Sequence, residues 1–168
     1  MKLILSFFSL LGLSACNYVE LTKFEHQNSQ LFYESFDYDL PDITPFKFQG
    51  ALFVSDVKAI NNDEFAIWLG IYSPQKDKHV TIEKVILNVK GMKTEVNLDK
   101  EIFLFDKVAG TDLFKDSLRL LTIHKSHISS KIGVDEIDFT VYLKVNNATS
   151  SKHFILKKSS EKQQVFPT

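Results

Sequence analysis

An all-β fold, an antiparallel β-sandwich of about seven to nine strands with at most one or two short helices, is what this sequence predicts. Three observations carry that reading. Ile137, Phe139, Val141, Leu143 and Val145 alternate with Asp138, Thr140, Tyr142 and Lys144, the period of a half-buried antiparallel strand. The run from Phe65 to Tyr72 is apolar on both faces, as a central strand covered on two sides would be. Turn-forming residues recur about every ten residues, with no long amphipathic stretch between them.

Taken in order, Asn17 to Gln30 is polar without a clean period and reads as a tether. Leu31 to Tyr38 is apolar and aromatic, and Pro41 and Pro45 bracket a turn from Leu40 to Pro45. Phe46-Lys47-Phe48 leads into Ala51 to Val54, with Gly50 marking a bulge. Asn61-Asn62-Asp63 is a turn before the strand at Phe65, and Ser73 to Lys78 a turn after it. Val80 to Val89 reads as a strand that Gly91 turns into Lys93 to Leu98, followed by a short aromatic strand at Glu101 to Phe105. Thr111 or Asp112 could cap a short helix over Asp112 to Ser117, before strand composition resumes at Leu118 to His124. Asn146 to Ser151 is a loop, and Lys152 to Lys158 the hairpin partner of the alternating strand. Ser159 to Thr168 reads as a polar tail. The Cys-Trp-Cys spacing of antibody domains is missing, so "immunoglobulin-like or similar" describes architecture only.

The N-terminus follows different rules. Lys2 precedes an apolar run from Leu3 to Leu13, 11 residues long. A membrane-spanning helix needs about 20. The length fits a secretory signal, which lies outside the fold. Small residues Ser14 and Ala15 then precede Cys16, the sole cysteine. Leu13-Ser14-Ala15-Cys16 resembles the lipobox of bacterial lipoproteins. The resemblance implies cleavage before Cys16, a diacylglycerol on its sulfur and acylation of the new amine. It also implies that Asn17, unlike Asp, does not retain the protein at the inner membrane, which favours the outer membrane facing the periplasm. Two acyl chains give stable anchoring where one gives only marginal binding. The expected organisation is a signal peptide over 1–15, a lipidated N-terminus and tether over 16–30, a sandwich over 31–158 and a tail over 159–168.

Removing residues 1–15 leaves 168 − 15 = 153 residues, enough for one domain with a real core. That cut also removes Lys2, so 19 basic residues face 21 acidic ones, a balance of −2. Such a chain has no basic excess for nucleic acid. Nineteen of the 20 basic residues are Lys, and Arg119 is the single Arg, which argues against a bidentate anion site. The 15 Phe must mostly fill the core. With Cys16 lipidated, the domain keeps no thiol for a disulfide, a zinc ligand or a nucleophile.

No phosphate loop, Gly-x-Ser-x-Gly, His-Glu-x-x-His or calcium loop occurs. His124 and His127 are spaced for zinc only on a helix, and the local composition is strand and turn. Asp37, Asp39 and Asp42 line a proline-bounded turn, and Asn61 to Glu64 another; both read as turn chemistry rather than calcium ligands. Asn147-Ala148-Thr149 matches a glycosylation acceptor but reads as a hairpin loop. Trp68, on one face with Tyr72, reads as core rather than a stacking platform. Lys157 and Lys158 read as guards on an edge strand. The expectation is therefore a non-catalytic, membrane-anchored lipoprotein whose sandwich binds an envelope protein, a secretion-system component or a toxin. A carrier with a Phe-lined cavity is the alternative, and an envelope hydrolase a weaker one. No metal and no cofactor beyond the lipid at Cys16 is expected, and ligand residues and oligomeric state stay open.

Overall fold

The computed structural model describes residues 17–60, 64–89, 91–124 and 135–165. Two five-stranded antiparallel sheets face each other. The strands are β1 (Asn17–Glu25), β2 (Lys47–Phe48), β3 (Ala51–Ala59), β4 (Glu64–Ser73), β5 (His79–Val89), β6 (Met92–Phe103), β7 (Asp106–Lys107), β8 (Phe114–His124), β9 (Glu136–Val145) and β10 (Ala148–Val165). The first sheet runs β1-β10-β9-β5-β6, the second β2-β3-β4-β8-β7. One helix, α1 (Gln27–Ser35), and a 3₁₀ segment, Pro41–Phe46, connect the first sheet to the second. The fold is thus the expected all-β sandwich with two short helical pieces.

The alternating segment forms β9, whose odd-numbered apolar residues from Ile137 to Val145 are buried. They meet Phe53, Ile67, Leu69 and Ile71 of the second sheet in one core. Stacked Phe139 and Phe154, with ring centroids 5.1 Å apart, fill its centre. The run at Phe65 forms β4, flanked by β3 and β8, and apolar contacts cover both its faces. Its far face carries a second cluster, in which Phe32 of α1 and Ile43 of the 3₁₀ segment pack on Leu52, Val54 and Tyr72. Apolar residues on both faces of β4 thus have two separate causes.

Turn chemistry sets the hairpins. Gln49 and Gly50 (φ 49° and 74°) join Phe48 to its partner Ala51. Asn146 and Asn147 (φ 48° and 70°) join Val145 to Ala148 in the same way. Both are two-residue turns with positive φ throughout, the geometry that matches strand twist. The second turn shortens the expected loop at Asn146 to Ser151, so β10 starts at Ala148.

Five expectations are corrected. The segment expected as a tether forms β1 and then opens α1. The segment expected as a tail continues β10, and the two pair from Asn17↔Val165 to Glu25↔Lys157. A β-ladder is held by backbone hydrogen bonds and needs no apolar face, so polar composition hid it. Lys157 therefore sits on an interior strand, paired with both Glu25 and Glu136, and guards no edge. Asp112 to Ser117 starts no helix. The Thr111 hydroxyl donates to the Val108 carbonyl and accepts from the Leu113 amide, closing a turn, and Phe114 enters β8. Trp68 lies on the outer face of the second sheet, half-buried opposite Arg119, and is absent from both apolar clusters.

Candidate functional site

Where β1 runs into α1, the chain passes the edge of β3. Strand β2 pairs with β3 only at Ala51 and Leu52, so the edge beyond is open to α1. Here the polar residues of α1 meet the polar interruption of β3, Ser55-Asp56. A cleft of about 260 Å³ lies between them, lined by Phe24, Glu25, His26, Gln30, Tyr33, Ser55, Asp56 and Val57.

A polar chain fixes its floor. The Ser55 amide donates to Ser29 Oγ at 2.8 Å, and that hydroxyl lies 2.8 Å from His26 Nδ1. The Ser29 amide also donates to Nδ1 at 3.2 Å, which makes His26 the N-cap of α1. Nδ1 is therefore an acceptor, and the network assigns the ring proton to Nε2. Burial, with a smaller push from His153, lowers the His26 pKa from 6.5 to about 4. The imidazole is neutral at pH 7, as an acceptor at Nδ1 requires.

The walls are also perturbed. Burial pushes the Tyr33 hydroxyl well above its ordinary pKa, with Tyr72 and Asp56 adding to it. Tyr33 and Tyr72 share a hydrogen bond, and burial raises Tyr72 as well. Asp56 pairs with Lys58 at 3.3 Å. Ser55 is 2% exposed, and its Oγ has no hydrogen-bond partner. An unsatisfied buried hydroxyl costs about 1–3 kcal/mol, so native folds rarely keep one without a reason.

Ser55, His26 and Asp56 are the residue types of a nucleophilic triad, yet the geometry is not one. The base must bond the nucleophile and be oriented by the acid. His26 Nδ1 is bonded to Ser29 instead, and Asp56 and Ser55 point to opposite faces of β3 as neighbours on a strand do. A pKa near 4 also makes His26 a weak base at neutral pH.

Elsewhere the polar side chains on the outer face of the first sheet pair with one another. Lys84 meets Glu95 at 2.9 Å, Lys144 meets Glu83 at 2.6 Å, and His153 meets Asp138 at 2.6 Å. Near the β5–β6 end, Phe103 and Phe105 are 43% and 57% exposed, and Phe103 stacks on His79 at 4.6 Å. Strand β6 is also a sheet edge.

The sequence-predicted candidates are not brought together. Among the described residues, no group of three His, Cys, Asp or Glu could hold a metal. His124 ends β8, and His127 lies outside the described residues, as do Cys16 and Asn61 to Asp63. Asp37 accepts from the Asp39 amide at 2.9 Å, Asp39 meets Lys47 at 3.6 Å, and Asp42 opens the 3₁₀ segment. Glu64 pairs with His124 across β4 and β8. Asn147 forms the tight turn, with Ala148 and Thr149 in β10. Sequence reading missed the cleft residues. The available signal was Ser55-Asp56 breaking an apolar strand run from Ala51 to Val57.

No family model and no curated protein matches the chain. A crystal structure of a protein from Archaeoglobus fulgidus covers 68% of this chain and 97% of that one, at 10% identity and a TM-score of 0.32. A likeness that weak carries no argument.

Proposed function

We propose that this chain is a bacterial envelope lipoprotein, held by acyl chains on Cys16, that presents its sandwich to a protein partner and performs no catalysis. The observation that carries the reading is Leu13-Ser14-Ala15-Cys16, directly after an 11-residue apolar run and holding the sole cysteine. No helix among the described residues is long and apolar enough to cross a membrane, and acyl chains on Cys16 would supply the anchor. The mature chain would begin at Cys16, one residue before β1. The anchor then joins the sheet without a spacer, and the paired β1 and β10 take the place of a tether. Nine residue pairs at strand spacing reach about 30 Å.

Partner binding is supported by surface chemistry. The exposed Phe103 and Phe105, beside the open edge of β6, offer apolar area and unpaired backbone together. The missing Ser–His bond in the cleft argues against a hydrolase. Outer-membrane location facing the periplasm remains the favoured address, from Asn17 after the cysteine.

Fractionation and pull-down from the native envelope test the reading. Wild type should be recovered with the membrane and bring down a specific envelope protein, and Cys16→Ala should be released. A Phe103→Ser/Phe105→Ser variant should stay membrane-bound and lose the partner. Wild type found soluble would end the anchor reading, and full partner retention by the double variant would end the assignment of the aromatic surface.

A further inference from the structure

The register of the first sheet sets two ends of the molecule far apart. Asn17, one residue after Cys16, pairs with Val165 at the last position of β10. At the other end of β10, Ala148 pairs with Val145, Val145 with Val80, and Val80 with Ile102. Phe103 follows Ile102 and lies opposite His79, with Phe105 two residues on. The exposed aromatic surface therefore sits at the end of the first sheet farthest from Asn17. Strand β10 links the two ends. Its 18 residues, at about 3.3 Å each, reach about 60 Å. Up to Lys157 it pairs with β9 inside the sheet, and from Lys157 onward with β1. The Lys158 amide also donates to the Asp135 carbonyl at 2.8 Å, so the two partners overlap where they change over. The strand has no Gly, no Pro and no residue at positive φ. A flexible tether of nine residues would span about 17 Å on average. The ladder holds the nine residues of β1 at about 30 Å.

We propose that β1 and the second half of β10 form a stalk that stands the sandwich end-on to the anchoring membrane. The Phe103–Phe105 surface then meets a protein partner about 60 Å off that membrane, not one lying in its plane. The inference rests on the Cys16 anchor and the aromatic surface proposed above. A two-stranded ribbon alone is marginal in water, but this one runs without a break into a five-stranded sheet. The broad faces of the sandwich oppose a flat posture. On the outer face of the first sheet, Lys84 and Lys144 are already held by Glu95 and Glu83, which leaves little charge for headgroups. The opposite side, at α1 and the 3₁₀ segment, exposes Glu34, Asp37, Asp39 and Asp42, which anionic headgroups repel. Phe103 and Phe105 could bury themselves in lipid, but they lie at the end away from the anchor.

The test places the lipidated protein in vesicles of phosphatidylethanolamine and phosphatidylglycerol that carry an acceptor dye on the headgroups. Thr149→Cys and Lys157→Cys each take a donor dye, since an acylated Cys16 leaves no other thiol. Positions 157 and 149 lie 8 and 16 residues from Val165, so energy transfer should place them about 26 Å and about 53 Å from the headgroups. Equally strong transfer from both positions would mean a sandwich lying flat or hanging on a loose tether, and overturns the stalk while the anchor stands. Wild type that does not stay with the vesicles ends the anchor reading, and the stalk with it. A second measurement shortens the ribbon. Deleting residues 20–23 together with residues 159–162 removes four matched pairs and lowers the aromatic surface by about 13 Å. The even number keeps the strand faces in phase. This variant should lose the partner when cross-linked in intact cells and keep it in detergent extracts, where height is irrelevant. Undiminished cross-linking in intact cells would overturn the proposal.

Discussion

Replacing His26 by Asn removes one titratable group and keeps a helix cap, since Asn also accepts at that position. His26 sits in the fold with a pKa near 4, against 6.5 for the ordinary side chain. Burial is the larger cause, and His153 the smaller. The unfolded chain therefore takes up a proton below pH 6.5 that the folded chain refuses until about pH 4. Unfolding gains from that uptake, so this contribution is complete above pH 6.5 and is lost as the pH falls towards 4. A difference of 2.5 units (6.5 − 4) at about 1.36 kcal/mol each sets a ceiling near 3.4 kcal/mol. The ring is only partly buried, and solvent screening cuts this to about 2 kcal/mol. Urea unfolding at about pH 7 and about pH 4 measures it. The ring contacts with Phe46 and Phe154 contribute equally at both pH values and drop out of the comparison. Wild type should lose about 2 kcal/mol more than His26→Asn between the two. Identical losses would refute a buried, neutral His26 and the hydrogen-bond chain built on it.

Two further substitutions probe the packing. Lys152 Nζ reaches the Pro45 and Lys47 carbonyls at 2.8 Å each, clasping the 3₁₀ segment to the first sheet, and burial lowers its pKa. Lys152→Met keeps the stem and should cost about 1–2 kcal/mol by thermal unfolding; an unchanged Tm would show that water replaces the clasp. A Cβ at Gly70 would meet Tyr33 Oη and Tyr72 Cε2 at 3.0 Å and Val54 Cγ2 at 3.1 Å. Gly70→Ala should cost about 1–3 kcal/mol, and adding Tyr33→Phe should recover part of it; no recovery would place the clash elsewhere.

What the sequence reveals depends on how each element is held. Strand β9 is legible because one face is buried and one solvated, which writes a period of two into Ile137 to Val145. Strand β4 is legible as a doubly covered strand, although only the structure shows that its outer cover is α1 and the 3₁₀ segment. Helix α1 is illegible because it buries only Ser29 and Phe32, too few to set a helical period. The β1–β10 ladder is illegible because its partners lie at opposite ends of the chain and the C-terminal one, Ser159 to Gln164, is polar. The strands expected separately at Lys93 to Leu98 and Glu101 to Phe105 are joined in β6, which runs to Phe103 through Asp99 at φ 46°. The cleft combines residues of β1, α1 and β3 at no fixed spacing, so no motif could mark it. The proposed lipidation shows the reverse balance, since the motif that suggests it is local and needs no fold.

Mass spectrometry of the mature N-terminus, taken from the native envelope, tests the central claim most directly. The account predicts a chain that begins at Cys16 and carries a diacylglycerol on sulfur, with an acyl group on its amine. A chain that begins elsewhere, or a Cys16 with a free thiol, would contradict it.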